Sequence, residues 1–349
     1  MFSVSQKEKI FFTEYLSLLI KGGIPISEAI ETLKNEAKSL IFKKALDDIL
    51  KKILEGQRLN QSLRSHPKIF DNFFCNVVQV GEESGTLEEN LKYLSTQLKS
   101  DYEMQKRVRG ALLYPLIVLI LALIIALTIT FFVLPKVMSL LQILEIELPL
   151  ATRVLIKTSS FLKRNFIILT AGIFLLIFLF RILKNLKFFK FFLDKTSLSL
   201  PFFNQIFKNL NLARFARTFY TLLKSGVPIL DAFNICIETH PNEVFKKNLI
   251  LVKSGVERGE KISQGLKGTS QIFPSIFSQM VAIGEKSGAL EESFLYLTNF
   301  YEGEVDSALK NLSGILEPIL LIFVGVFVAF VALATIIPIY RFVGTLHFR

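Results

Sequence analysis

The chain has 349 residues, 51% of them hydrophobic, and its mean hydropathy of +0.46 is too high for an ordinary soluble protein. The formal charge of +11 comes from Lys and Arg scattered over polar segments and gathered beside apolar runs, without a recognition-helix or Gly-Arg pattern. That distribution fits anionic lipid headgroups and argues against nucleic acid as a partner.

The N-terminus opens on charged helix without a cleavable signal. Phe11, Phe12, Tyr15, Leu16, Leu18 and Leu19 read as one apolar helical stripe, broken by Gly22-Gly23-Ile24-Pro25 and restarted near Ser27. Further helices run through Ile30 and Leu33, then from Leu46 to Leu54, ending at Gly56; His66-Pro67 marks another break. Helix Phe70 to Val80 leads into Gly81-Glu82-Glu83-Ser84-Gly85-Thr86-Leu87. Gly85 suits a left-handed helix stop, and Thr86 with Glu89 suits a capping box that opens the next helix. Leu87, Leu91, Leu94 and Leu98 then lay an apolar seam along that helix. It passes Lys106-Arg107-Val108-Arg109 and enters the uncharged stretch Gly110 to Pro135, long enough at about 1.5 Å per residue to cross a bilayer.

Much of this returns at a displacement of 203 residues (284 − 81). Gly284-Glu285-Lys286-Ser287-Gly288-Ala289-Leu290 repeats the turn, Gly226-Val227-Pro228 repeats Gly23-Ile24-Pro25, and Gly259, Pro318 and Pro338 repeat Gly56, Pro115 and Pro135. One unchanged offset means an ungapped internal duplication of a domain-sized unit, far longer than a solenoid module. The second copy ends in the apolar run Pro318 to Tyr340. Between the copies lies the short run Phe166 to Phe180, flanked by Lys163-Arg164 and Arg181. Two like-oriented repeats, each ending in a span, need a return crossing, and this run supplies it with snorkelling basic flanks.

The expected fold is therefore an all-α membrane protein with two homologous cytoplasmic helical bundles of about six helices each and three transmembrane helices. The boundaries are 1–109 for bundle one, 110–135 for span one, 136–164 for a periplasmic loop and 165–183 for span two. Bundle two takes 184–314, span three 315–340 and a periplasmic tail 341–349. Arg181, Lys184, Lys187 and Lys190 after span two, with Lys106, Arg107 and Arg109 before span one, place both bundles inside, although the loop also holds basic residues.

The repeated turns read first as helix corners, with Gly23, Pro25, Gly81, Glu82, Ser84, Gly85 and Leu87 matched by Gly226, Pro228, Gly284, Glu285, Ser287, Gly288 and Leu290. The second reading is an acidic docking or cation site. Ala122 and Ala126, matched by Gly325 and Ala329, have the four-residue spacing that lets membrane helices approach closely. Pro115, Glu317 and Pro318 stand where the spans begin. Cys75 and Cys236 read as buried reduced thiols, and His66, His240 and His347 lack ligand spacing, so no metal is expected. The sequence contains no Walker loop, nucleophile elbow or zinc-protease helix, so no catalytic residue and no cofactor is expected. Too few intramembrane ionisable groups exist for a ready transporter reading, which stays as a remote alternative.

These motifs resemble the inner-membrane platform proteins of type II secretion systems and type IV pilus assembly machines. The likeness rests on Gly23-Ile24-Pro25 and Gly226-Val227-Pro228, both Gly-Glu-x-Ser-Gly-x-Leu turns, Tyr114-Pro115, Pro135-Lys136, Glu147-Leu148-Pro149, Leu200-Pro201, and Glu317-Pro318 through Ile337-Pro338-Ile339. It implies a non-catalytic scaffold of the bacterial inner membrane. Such a scaffold couples a cytoplasmic assembly ATPase to pseudopilin assembly and protein export, with other inner-membrane components as partners and homo-oligomers expected. Type II secretion is preferred, with type IV pilus assembly as the alternative. The family's frequent N-terminal arm is not expected here, since the repeat begins almost at once, and any ATPase contact of that arm is expected elsewhere. Where some members hold a divalent cation, Lys92 and Thr96 argue against one, although Glu88 and Glu89 keep it open.

Overall fold

The computed structural model describes residues 4–129 and 203–346, with single positions 132, 157, 161, 164, 165, 168, 171, 172, 174–176, 178, 179 and 196 between them. All regular structure among the described residues is helical. The first copy forms α1 (Gln6–Lys21), α2 (Ile26–Glu36), α3 (Leu40–Leu54), α4 (Leu59–Arg64), α5 (Asn72–Ser84) and α6 (Leu87–Thr128). The second forms α7 (Phe203–Lys224), α8 (Ile229–Thr239), α9 (Glu243–Glu257), α10 (Ile262–Gly268), α11 (Ser275–Ser287) and α12 (Leu290–Leu346). From α8 onward every helix starts 203 residues after its counterpart (229 − 26 for the first pair), so the sequence duplication is also a duplication of structure.

Local chemistry sets these ends. Ser5 accepts from Glu8 N at 3.1 Å while the Glu8 carboxylate accepts from Ser5 N, a complete capping box for α1. Asp71 caps α5 through Phe74 N at 2.9 Å, and Asn242 caps α9 through Val244 N and Phe245 N. Pro25 and Pro228 occupy the positions just before α2 and α8, where a missing N–H costs nothing.

The chain divides into two compact units. One joins Met1–Arg107 to Phe191–Ala308 and so contains both repeats; the other comprises Val108–Lys190 and Leu309–Arg349. In the first unit, Phe12, Phe42, Phe70 and Phe74 form an aromatic cluster, with Phe12 and Phe70 centroids 5.5 Å apart. Their equivalents Phe215, Phe245, Phe273 and Phe277 form the same cluster, Phe215 to Phe273 being 5.7 Å. The second copy adds Phe219, Phe233 and Phe294 where the first has Leu16, Ile30 and Leu91. Buried side chains of the two copies merge into a single hydrophobic core. Burying each such side chain stabilises the unit by roughly 1.5–3 kcal/mol.

The apolar stripe expected along α1 splits in two. Phe12 and Leu16 are buried, whereas Phe11, Tyr15 and Leu18 are exposed. Phe11 and Tyr15 sit one turn apart, with ring centroids separated by 4.1 Å, and cover each other instead of the core.

In the second unit, the described residues belong mainly to the apolar ends of α6 and α12. The helices holding Leu87–Ile125 and Leu290–Phe330 are long and apolar enough to cross a membrane, judged by length and composition. Their side chains, among them Leu116, Ile120, Ile322 and Phe323, are mostly exposed, as lipid-facing positions would be. The expected loop 136–164 and return crossing 165–183 lie outside the described residues apart from the single positions above. α12 continues to Leu346, through most of the expected tail.

Candidate functional site

The two repeated turns are corners between consecutive helices, α5 to α6 and α11 to α12. Gly85 (φ 76°) and Gly288 (φ 72°) adopt the left-handed conformation that ends the first helix of each pair. Gly81 and Gly284 lie one turn earlier, at a close approach of the two helices. A Cβ on Gly81 would stand 2.9 Å from the Leu87 Cα, and one on Gly284 2.9 Å from the Ser293 Cβ. Leu87 is buried, and Leu290 packs on the edge of the same core. Ser84 and Ser287 turn their hydroxyls back to the Val80 and Ile283 carbonyls at 2.7 and 2.9 Å. Thr86 meets Ser84 Oγ at 2.7 Å instead of forming the expected box with Glu89.

Glu82 and Glu285 have a specific local use. Glu82 Oε1 accepts from Leu59 N at 2.7 Å, and Oε2 accepts from Asn60 N at 2.9 Å. Glu285 does the same for Ile262 N at 2.6 Å and Ser263 N at 3.2 Å. Each carboxylate thus caps the short helix α4 or α10 from 22 or 23 residues away, satisfying two orphan donors and facing the positive end of the helix dipole. Replacing Glu82 with Ala should cost about 1–2 kcal/mol, because two N–H groups lose a charged acceptor. Thermal unfolding of the detergent-solubilised chain would measure this, and Glu285→Ala should act alike in the second copy.

Around the corner, Lys21 pairs with Glu88 at 3.5 Å, and their equivalents Lys224 and Glu291 pair at 3.4 Å. The Lys224 ammonium is held above its usual range by its hydrogen bond to Glu291. Gly23 (φ 77°) and Gly226 (φ 82°) turn the chain from α1 to α2 and from α7 to α8. Among the described residues, no group of three or more His, Cys, Asp or Glu is arranged to hold a metal ion.

A second cluster lies where the copies meet. Arg217 on α7 is buried and donates to Asp101 Oδ1 on α6 at 3.0 Å; its other terminal nitrogen pairs with Glu302 on α12. Arg107 donates to Asp306 at 2.7 Å and lies 4.0 Å from Glu302. Beside them Thr221 donates to Gln97 Oε1 at 3.1 Å, both residues being buried. Burial raises the Asp101 carboxyl above its ordinary value, against the pull of Arg217 and Arg214. Burial likewise lowers Arg217, against the pull of Asp101. The cluster ties α6 and α12 together within the first unit, shortly before each becomes apolar.

The remaining marked residues sit on the long helices. Pro115 lies within α6 and is buried, while Glu317 and Pro318 lie within α12 and are exposed. Ala122 and Ala126 are on α6; Gly325 and Ala329 are exposed on α12, with open space beside Gly325. The junction cluster escaped the motif reading because its members sit where the copies differ. Arg217 corresponds to Glu14, Thr221 to Leu18 and Gln97 to Phe300. A charge reversal inside an otherwise matched helix was the available signal.

Residues 12–135 and 215–338 each match the family described as type II secretion system (T2SS), protein F. The chain belongs to the T2SS protein F family. The two protein F matches are themselves 203 residues apart (215 − 12), the displacement seen in sequence and structure. The chain is 33% identical over 331 residues to type IV pilus assembly protein PilC of Pseudomonas aeruginosa, covering 95% of this chain and 88% of that one. It is 31% identical to PilC of Thermus thermophilus, covering 97% and 84%. Type II secretion system protein F of Vibrio cholerae is 28% identical, covering 96% and 82%. Relatives of both machine types therefore align along nearly the whole chain, and the preference for secretion over pilus assembly has no support in them.

Proposed function

We propose that this chain is an inner-membrane platform of a type II secretion or type IV pilus assembly machine. In this reading it is a scaffold with no turnover of its own, and both helical repeats lie in the cytoplasm. The carrying observation is that two copies share one hydrophobic core and an ion pair from the buried Arg217 to Asp101, while each copy continues into an apolar helix. Copies that share a core lie on one side of a membrane. A chain that leaves by α6 must then cross back before α7, which supports a return span within 129–202 and makes the protein multi-pass. In this reading the platform needs a link between a cytoplasmic motor and the bilayer. α6 and α12, about 63 and 85 Å long at 1.5 Å per residue, supply one. The partners in this reading are a cytoplasmic assembly ATPase, pilin-like subunits, other inner-membrane assembly components and the lipid itself.

A Gly-Gly-Ser insertion after Arg109 tests the coupling, because it interrupts α6 beyond the junction cluster. The insertion should abolish pilus assembly or secretion while membrane-fraction abundance and the unfolding temperature of the repeats stay unchanged. Assembly at the parental level would overturn the reading.

A further inference from the structure

A cavity of about 730 Å³ opens beside the first turns of α1, floored by Phe11, Phe12, Leu33 and Phe42. That volume suits a small organic ligand, for which sites measure roughly 300–1,000 Å³. Lys7 and Lys38 stand exposed on its rim, and Ala37 at the end of α2 leaves it open. The second copy closes the same place. At the position of Ala37 (240 − 37 = 203) it has His240, which is buried, stacks on Phe245 with centroids 5.2 Å apart and meets Asn211 Oδ1 at 3.1 Å. The backbone is alike at the two positions, with φ −67° and ψ 123° at Ala37 and φ −66° and ψ 130° at His240. The side chain, and not the turn, decides the filling. Lys7 and Lys38 are likewise Leu210 and Pro241 in the second copy, so the opening and its cations occur together.

The cavity has a definite place along α6. Gln6 donates to Gln105 at 3.3 Å, and the Lys7 ammonium lies 5.8 Å from the centroid of the Tyr102 ring. Gln105 precedes the start of the uncharged stretch at Gly110 by five residues (110 − 105), about 8 Å of helix. The headgroup layer on each side of a bilayer is roughly 5–8 Å thick. A helix that enters the hydrocarbon at Gly110 therefore holds the open end of α1 at the level of the headgroups.

We propose that this cavity binds an acyl chain of an anionic phospholipid of the adjoining leaflet, with the lipid phosphate at Lys7 and Lys38. The inference rests on the membrane placement proposed above. The aromatic and aliphatic floor gives an acyl chain apolar surroundings like those it leaves, whereas a soluble ligand would need polar groups there to orient it. Glu8 does not repel the phosphate strongly, because its carboxylate accepts from Ser5 N at 3.2 Å and Ser39 N at 2.8 Å. Exposed Glu36 opposes the phosphate, and the two lysines outweigh it.

The full chain in nanodiscs containing phosphatidylglycerol with a diazirine in one acyl chain, irradiated and mapped by mass spectrometry, tests the proposal. Adducts should appear around Phe11 and Phe42 as well as on the apolar parts of α6 and α12. The latter report insertion separately, so a failure of the membrane placement removes both sets and a failure of the cavity site removes only the first. Ala37→His should fill the space as His240 does; an imidazole there displaces at least two methylenes of the chain and lowers cavity labelling about tenfold, with the span adducts unchanged. Replacing Lys7 and Lys38 with Gln leaves the floor intact and should lower the labelling about fivefold per lysine. Cavity adducts at parental yield in both variants would overturn the proposal, as would equal cavity labelling from the same probe built on phosphatidylcholine. Adducts confined to the spans would overturn it too and assign the cavity to an apolar segment of a protein partner.

Discussion

Gly81→Ala is expected to destabilise the first repeat by about 2 kcal/mol, an overpacking cost of 1–3 kcal/mol and more, offset by up to 1 kcal/mol of helix propensity. The added methyl would sit 2.9 Å from the Leu87 Cα, a backbone atom that moves only if α6 moves. Its other close neighbours, the Asn90 Nδ2 and Cβ at 3.1 and 3.2 Å, belong to a side chain that also donates to the Val77 carbonyl. Trimming Asn90 to Ala should therefore relieve only part of the strain. Gly303→Ala is the control. That glycine is inside α12 with nothing within 4 Å, so the substitution should stabilise by about 0.5–1 kcal/mol. Thermal or urea unfolding of the detergent-solubilised full chain reads both, and equal effects at Gly81 and Gly303 would refute the close-approach account.

Arg217→Met should have the largest effect of any charge substitution, about 3 kcal/mol. That is the low end of the cost of breaking a buried pair, since Asp101 and Glu302 keep 32% and 20% of their side-chain surface. The change leaves two carboxylates in the junction without their shared cation. Its pH dependence has a definite sign. Asp101 is already raised above 3.8 in the folded protein, so the folded state favours its protonated form. Stability from that protonation is present below 3.8 and is lost as pH rises through the folded value. Losing Arg217 raises that value further, so the deficit of the variant should be widest at neutral pH and narrow on acidification. A deficit that is flat from pH 7 down to about 4 would show that lost packing dominates over charge. Arg107→Met is the contrast: its pair with Asp306 is half open to water and should be worth about 0.5 kcal/mol.

The repeat, the helices and the corners could be read from residue spacing because each is written locally. A glycine before a leucine seam fixes a left-handed stop wherever it occurs, and Gly85 and Gly288 both adopt one. The role of Glu82 could not be read in that way. Its acceptors' partners are the amides of Leu59 and Asn60 on another helix, so the turn looked acidic without an evident use for the acid. The α1 stripe misled for a related reason. Phe11, Tyr15 and Leu18 have the apolar character of core positions, but the face they form points away from the core that Phe12 and Leu16 enter. Periodicity counts apolar residues on a helix and does not say how many surfaces that helix has to cover. The Asp101–Arg217 pair, 116 residues apart, depends on how two copies dock, which no single copy encodes.

The reach of Glu82 onto α4 has a further consequence. A helix of six residues closes too few of its own hydrogen bonds to persist unaided, so α4 holds its shape only while the last turn of α5 holds the carboxylate in place. The amides of Leu59 and Asn60 are thereby latched to the corner. Their exchange with deuterated solvent should keep time with the opening of that corner and not with any fraying of α4 itself.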